Sequence, residues 1–396
     1  MRIKSRKYKN IARIIRLCCI TGALFAYSST AYATIAVDHN RLPVGGTVLH
    51  GNANIITGEL GNTMNVTQTG GNAVIKWQDF SIGTNATVNF KESSNSNFNV
   101  LNYVDSGIIS QIYGNLNAEK GNVFLVNTAG ALISKSAEIN VGSLYVSNRD
   151  MSADNLKAFY DAGTTPVVNG TVTSAELMNL GHIKANKVTF DGDRVVLDLD
   201  YIKKNNANGT VSNLEAANII VKTVDVDNVV VGYTAYDETN KTYEGKNPNT
   251  SGNIVTVFEH DKSYADGTSE NYTKQQGYMW VKDVEQLQKM NTNLSGHYAL
   301  KNSIDAIATK DWSNTTNGKT NFQSIGDETT KFTGKFDGLD NNIFGLTVTG
   351  DEAGKTTNVG LFGVAENATI RNVDMIAGSV TGTSNVGGIV GKATTR

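Results

Sequence analysis

The stretch GNVFLVNTAGALISKSAEINVGSLYVS, residues 121–147, holds three short apolar runs in one small window. Each run ends at Gly, Asn or Ser, which are residues that favour turns. The last run alternates Ile139 and Val141 with Glu138 and Asn140, as a strand with one buried face does. Strands this short, with so many corners, predict a β-helix, in which each coil of the chain hydrogen-bonds to the next coil.

The composition agrees with a stacked β fold. The chain has 39 Gly but only 3 Pro, and charged residues make up 18% of it, below the usual quarter or so. Equivalent residues of stacked coils lie about 4.8 Å apart, so like charges would repel each other there. Amides and hydroxyls can instead hydrogen-bond from coil to coil, which predicts ladders of Asn and Thr side chains.

The first 33 residues have the features of a bacterial secretion signal. They contain 7 basic residues and no acid, an apolar core at residues 17–27, and the small-residue sequence Ala31-Tyr32-Ala33. The apolar core is shorter than the roughly 20 residues that a membrane-spanning helix needs, so cleavage after Ala33 is predicted. Both cysteines lie in this segment, which leaves the mature chain without disulfides or cysteine-bound metals.

The predicted mature chain is acidic. Removal of 7 of the 35 basic residues leaves 28 against 37 acidic residues, a net charge of about −9. Such a surface disfavours nucleic acid as a partner.

Motifs for catalysis or cofactor binding are missing from the sequence, so neither an enzyme nor a cofactor is predicted. The five histidines do not have metal-ligand spacing, and there is no phosphate loop, nucleophile elbow or zinc-protease motif. Acidic residues two positions apart could lie on the same face of a strand. Such a pair could bind calcium, take part in polysaccharide cleavage, or simply face solvent. We favour the solvated face for these pairs, which are Asp191 and Asp193, Asp198 and Asp200, and Asp225 and Asp227.

Five stretches carry a resemblance to a known family. They are GTVLHGNANI, AVIKWQDFSIGTNATVNF, SQIYGNLNA, GNVFLVNTAGALI and AEINVGSLYVS. Over residues 34–151 the sequence resembles the secretion domain of two-partner secretion exoproteins, the filamentous haemagglutinin family of bacterial adhesins and cytolysins. The Asn-Pro-Asn-Gly turn of that family is present as Asn127-Thr128-Ala129-Gly130, which keeps Asn127 and Gly130 but has no proline.

The resemblance implies a right-handed parallel β-helix with small extra-helical β elements. It also implies export through the periplasm and the outer membrane by a dedicated partner barrel, to the medium or the cell surface. Asn127 and Gly130 are expected to close a corner, with a positive φ at Gly130. Anchors of the first coils are expected in the WQDFSIG motif, where core packing is favoured over direct contact with the transporter. These anchors are Trp77, Phe80, Ile82 and Gly83.

Three regions follow the signal. The secretion domain, also known for haemagglutination activity, is predicted at 34–225, with a helix at 153–160 capped by Ser152. Residues 226–275 are predicted to be a polar linker or loop region. Its tyrosines could stack on sugars, but scattered surface tyrosines are the favoured interpretation. They are Tyr233, Tyr236, Tyr243, Tyr264 and Tyr272.

Residues 276–396 resemble bacterial surface β-solenoids with Gly-Leu-rich repeats. The sequence Asn-Val-Gly occurs twice, and Leu361 and Ile389 are expected inside the coils. The chain is expected to be a truncated exoprotein. The predicted repeat corners are Asn358 and Gly360 in the first copy and Asn385 and Gly387 in the second.

The sequence therefore predicts a surface adhesin whose partners are the transporter and glycans or proteins of host or neighbouring cells. A toxin-delivery or cytolytic exoprotein of the same secretion family is the first alternative. A polysaccharide-degrading β-helix enzyme is the second.

Overall fold

Short strands follow one another along the described part of the chain. The computed structural model describes residues 38–168, 175–202, 211–212, 214–216, 218–243, 255–259, 272–274, 277–314, 319–320, 322–349 and 357–395. The signal peptide predicted for residues 1–33 lies outside these residues. The first elements are β1 (Thr47–Thr57), β2 (Thr63–Trp77), β3 (Thr87–Glu92), β4 (Phe98–Val104), β5 (Ser110–Ile112), β6 (Asn115–Asn127), β7 (Ala131–Ile133), β8 (Glu138–Ser147) and helix α1 (Ala153–Ala162).

The next strands are β9 (Leu177–Asn179), β10 (His182–Lys184), β11 (Lys187–Asp191), β12 (Val195–Asp198), β13 (Tyr201–Ile202), β14 (Val211–Ser212), β15 (Leu214–Glu215), β16 (Asn218–Thr223), β17 (Val229–Tyr233), β18 (Tyr236–Asp237), β19 (Thr242–Tyr243), β20 (Val255–Glu259) and β21 (Tyr272–Lys274). The last part contains β22 (Tyr278–Val281), helix α2 (Val284–Lys289), β23 (His297–Leu300), β24 (Ile304–Asp305), β25 (Ser313–Asn314), β26 (Lys319–Thr320), β27 (Lys335–Asp337), β28 (Asn342–Phe344), β29 (Thr347–Thr349), β30 (Thr357–Val359), β31 (Phe362–Glu366), β32 (Thr369–Arg371), β33 (Asp374–Ile376), β34 (Ser379–Thr381), β35 (Ser384–Val386) and β36 (Val390–Thr394). Short 3-10 helices lie at Val226–Asn228, Met290–Thr292 and Ile307–Asp311. The fold is all-β, as predicted.

The chain divides into two compact units. The first unit comprises Met1–Val231 and Pro248–Gln275, and the second comprises Gly232–Asn247 and Gln276–Arg396. In the first unit, strands β2, β3, β6, β8, β11, β16 and β20 pair in parallel, in the order of the chain. Antiparallel strands close this series at both ends, β1 against β2 and β21 against β20. A second parallel ladder joins β5, β7, β9 and β12.

The core of the first unit follows from the period of two. Along β2 the side chains of Met64, Val66, Ile75 and Trp77 are buried, while Asn65 and Lys76, which lie between them, are only partly buried. Three of their register partners in β3 and β4 are also apolar, namely Val88, Phe90 and Val104, and all three belong to the same continuous cluster. The alternation that predicted strands therefore also places the core.

Helix α1 is where the sequence predicted a helix. Ser152 is its N-cap, and its Oγ accepts a hydrogen bond from Asn155 N at 3.2 Å. Gly163 ends the helix with a φ of +62° and donates to Phe159 O at 2.7 Å. Helix α2 was not predicted, although Asp283 with Gln286 three residues later is a capping signal that could have found it.

The second unit is built of parallel ladders as well. Strands β22, β23, β27 and β32 pair in parallel, as do β24, β28 and β33. Further parallel pairs are β29 with β34, β30 with β35, and β31 with β36. Its core is rich in aromatic rings, which include Phe322, Phe332, Phe336 and Phe362. The small pairs β18 with β19 and β25 with β26 are antiparallel.

The region 226–275 contains strands β17 to β21, and its tyrosines differ from the prediction. Tyr233, Tyr236 and Tyr243 are buried, so the surface interpretation is wrong for these three. The ring of Tyr243 packs 5.0 Å from that of Tyr298, and its hydroxyl donates to the backbone oxygen of Trp280 at 3.2 Å. Tyr264 lies outside the described residues.

Within the residues that the structure describes, no helix combines the length and apolarity needed to cross a membrane.

Candidate functional site

The corner between β6 and β7 is held by the side chain of Asn127. Its Nδ2 donates to Ile108 O at 2.8 Å and to Ser110 Oγ at 2.9 Å. Its Oδ1 accepts from Ala129 N at 2.9 Å, and Gly130 N donates to the backbone oxygen of Asn127 at 2.9 Å. Asn127 is fully buried. One amide thus shapes the turn and ties it to β5 and the residues just before that strand.

Gly130 has the positive φ that the sequence predicted, at +98°. A Cβ at this position would lie 2.5 Å from Glu176 O. That oxygen accepts from Ala131 N at 3.1 Å, while Gly130 O accepts from Ser110 N at 3.2 Å. The corner therefore needs glycine for two reasons, its backbone conformation and the close approach of the Glu176 backbone.

The three side chains of the WQDFSIG motif that were predicted as anchors are buried. Trp77, Phe80 and Ile82 are each at most 1% exposed. The indole Nε1 of Trp77 donates to Asn102 Oδ1 at 2.9 Å, and its ring meets that of Phe80 edge-on at 5.6 Å. Phe80 stacks on Phe90 at 6.4 Å. These contacts are those of core residues, which is the role that the sequence analysis favoured over direct contact with the transporter.

Gly83 lies where the N-terminal segment crosses the first coil. A Cβ here would lie 2.3 Å from Asp38 O and 2.4 Å from His39 O. The Gly83 nitrogen donates to Arg41 O at 2.8 Å. A glycine at this position lets the two backbones touch.

A buried ion cluster, missed by sequence analysis, lies near the end of β8. Arg149 is 1% exposed and donates through Nε to Asp191 Oδ1 at 2.9 Å and through Nη2 to Asp193 Oδ1 at 2.6 Å. The Tyr145 hydroxyl donates to Asp191 Oδ2 at 2.8 Å. Burial, with the Asp191 charge beside it, raises the pKa of Tyr145 well above its ordinary value.

The paired acids were expected on solvated strand faces, and this is wrong for Asp191, Asp193 and Asp198, which are all buried. Arg149 forms ion pairs with the first two, and it is 42 residues away from Asp191. Asp225 is exposed, as expected. Among the described residues, no three His, Cys, Asp or Glu side chains come together in a way that could hold a metal ion.

The repeat corners of the second unit stack on each other. Asn385 Nδ2 donates to Asn358 Oδ1 at 2.7 Å across 27 residues of chain. The two asparagines, rather than glycines, take the positive φ of the corner, at +61° for Asn358 and +52° for Asn385. Gly360 has another role, because a Cβ there would lie 2.7 Å from Gly387 O. Leu361 is buried, as predicted.

Comparison with known proteins gives the family. The model of the TPS (two-partner secretion) secretion domain matches residues 46–277, more than half of the 396 residues. The chain belongs to the two-partner secretion family. Membership implies an outer-membrane transporter as partner and secretion across the outer membrane, to the cell surface or the extracellular space.

Curated relatives share only part of their length with this exoprotein. A heme/hemopexin-binding protein of Haemophilus influenzae strain Rd is 32% identical over 201 residues, which are 50% of this chain and 21% of that protein. Halomucin of Haloquadratum walsbyi is 36% identical over 112 residues, 26% of this chain and 1% of that protein. The crystal structure of the HMW1 secretion domain from H. influenzae aligns with 84% of this chain and all of its own, at 18% identity and a TM-score of 0.35.

Asparagine ladders run along the outside of the secretion domain, as the composition predicted. Asn89 Nδ2 donates to Asn65 Oδ1 at 3.1 Å, and Asn117 Nδ2 donates to Asn89 Oδ1 at 3.0 Å. A second ladder, with bonds of 2.8 Å, is formed by Asn72, Asn99 and Asn122. Asn89 and Asn99, the middle residues of the two ladders, bond to the strands on both sides, so the ladders support the register of these strands.

His182 joins three strands of the secretion domain. Its Nδ1 lies 2.6 Å from Glu138 Oε2, and its Nε2 lies 2.5 Å from Glu215 Oε1. The imidazole is 4% exposed, while the two carboxylates reach solvent. His182, in β10, thus links this strand to β8 through Glu138 and to β15 through Glu215.

Proposed function

We propose that this exoprotein is a secreted or surface-displayed bacterial adhesin, which folds as a right-handed parallel β-helix and whose N-terminal domain directs export. The observation that carries the proposal is the match to the secretion domain over residues 46–277. The long series of parallel strands in chain order supports the β-helix, because winding is the simplest way to pair consecutive strands in parallel.

Coil-by-coil folding suits a chain that folds after export. Each coil contacts mainly its neighbours, so folding can proceed as the coils emerge. After residue 33 the sequence contains no cysteine, so folding outside the cell needs no disulfide formation. The corner at Asn127 and Gly130 lies in this domain, where it would help each coil to stack on the one before it.

The proposed organisation is a signal peptide at 1–33, the secretion domain at 34–225, a polar segment at 226–275 and a repeat-bearing solenoid at 276–396. The solenoid would be the displayed part. Its outward partners would be glycans or proteins on host or neighbouring cells.

Export is tested by deleting residues 34–151 and co-expressing the cognate outer-membrane transporter. The intact chain should reach the medium only when the transporter is present. The deleted chain should stay in the periplasm in both cases. Undiminished release of the deleted chain would show that this region does not direct export.

Adhesion is tested with the purified mature chain on cell surfaces. Binding should be saturable. Loss of binding after glycosidase treatment of the cells would indicate a glycan receptor, and loss after protease treatment would indicate a protein receptor. Cell lysis instead of binding would favour the cytolytic alternative.

A non-enzymatic role is part of the proposal. The acids Asp191 and Asp193, which a polysaccharide-cleaving site would need in an open groove, are buried against Arg149. Turnover of any polysaccharide by the purified chain would contradict this part.

A further inference from the structure

An apolar column runs along the outer face of the secretion domain. Val74, Leu101, Phe124 and Tyr145 are register partners in the successive strands β2, β4, β6 and β8. Their neighbours along each strand point into the main core, whereas these four belong to a separate cluster. An outward row on such a sheet is usually polar where it faces water. We call these four residues the outer column.

Helix α1 covers the outer column. Phe159 meets the ring of Phe124 edge-on at 4.9 Å, and Leu156 and Met151 complete the apolar contact. Under the helix the four column residues are each at most 9% exposed. Helix α1, which is not part of the stacked strands, thus shields the outer column from water.

A small set of contacts holds the helix in place, and one of them is the stacking of the Tyr160 ring on His50 at 5.8 Å. The helix buries only two of its own side chains, Leu156 and Phe159. Asn72 Nδ2 donates to Tyr160 O at 2.8 Å. Just before the helix, Tyr103 OH donates to Asp150 Oδ1 at 2.7 Å. A competing apolar surface would therefore have little to displace.

The position of the helix in the chain gives an order of events. Helix α1 begins at Ala153, after β8 has supplied the last residue of the column. A helix of ten residues does not form by itself in water, so α1 folds only on a finished column. A chain that folds from its N-terminus as it emerges passes through a state with the column bare. A bare apolar patch of this kind binds to other apolar surfaces.

We propose that the outer column is the surface through which the partly folded domain is held by an apolar surface of its outer-membrane transporter, and that docking of α1 displaces the transporter. This inference rests on the proposed export function and names the surface involved. The partner surface should be uncharged, because the carboxylate that touches the column, Asp191 at the Tyr145 hydroxyl, is already paired with Arg149 at 2.9 Å. The column lies beside the ladder of Asn72, Asn99 and Asn122, which offers amides at its margin.

The test uses the purified mature chain and its cognate transporter immobilised in detergent. A double variant, Leu156→Ser with Phe159→Ser, undocks the helix and leaves the column intact. The matched control, Ala158→Ser with Ala162→Ser, changes the exposed side of the same helix. The undocked variant should bind the transporter at least about tenfold more tightly than the wild type, since the binding-competent state is then the dominant one. The control should bind as the wild type does.

A third variant identifies the surface. Adding Phe124→Asn to the undocked helix should remove the gain in binding. Circular dichroism should show the wild-type β signal in all variants. If a double variant fails to fold, the milder Leu156→Ala replaces it, and a smaller gain in transporter binding is expected. Equal binding by the wild type and the undocked variant overturns the inference, as does a gain that survives Phe124→Asn. If the wild type is exported normally in the same cells, such a result leaves the proposed function intact, whereas failure of wild-type export overturns both.

Discussion

Replacement of Gly130 by Val should destabilise the first unit by about 1.5–4.5 kcal/mol. Holding a β-branched residue at a φ of +98° costs about 1–3 kcal/mol. The new Cβ would also lie 2.5 Å from Glu176 O, so the following coil must shift. That shift weakens the bond from Ala131 N to Glu176 O, at a cost of about 0.5–1.5 kcal/mol. The free energy of unfolding in urea measures the sum.

A matched control separates the two contributions. Gly70 has nearly the same φ, +95°, but a Cβ there would have no atom within 4 Å. Gly70→Val should therefore lose only the conformational part, and Gly130→Val should lose about 0.5–1.5 kcal/mol more. Equal losses would refute the argument that the corner is limited by the approach of the next coil. Because each coil templates the next, we also expect Gly130→Val to lower release into the medium more than it lowers the melting temperature of the released protein.

Three further predictions concern the secretion domain and the tyrosines. Arg149→Met should destabilise the first unit by about 3–5 kcal/mol in urea unfolding, because two buried aspartates lose their counter-charge; a loss under about 1 kcal/mol would contradict this. Asn89→Ala should cost about 1–2 kcal/mol through its two ladder bonds, and an unchanged unfolding midpoint would rule the ladder out as a source of stability. Burial raises the pKa of Tyr145, Tyr243 and Tyr298. A raised folded-state pKa contributes stability that is present below the unfolded value of about 10 and is lost as the pH rises past that value. Alkaline unfolding and the phenolate absorbance of these tyrosines should therefore appear together. Phenolate absorbance of all the tyrosines in a chain that is still folded would contradict this prediction.

The sequence by itself determined the features that depend on neighbouring residues. The alternation in β2 and β8 predicted strands with one buried face, and Gly130 predicted a positive φ, because both depend on a few consecutive residues. Ser152 predicted the start of helix α1 for the same reason, whereas the helix ends at Ala162, two residues beyond the predicted end. The ladders of asparagine followed from composition once stacking was assumed, since only uncharged polar side chains can repeat along a stack.

Only the tertiary structure decided what covers each face. Asp191 was expected on a solvated strand face, yet Arg149, 42 residues earlier, reaches it through the pairing of β8 with β11. Tyr243 and the outer column are similar cases, since the period of two says which side of a strand a residue is on but not what packs there. A buried charge or an apolar outer row is tolerated only when a distant segment pairs with it or covers it, and that segment is specified by the fold rather than by the local sequence.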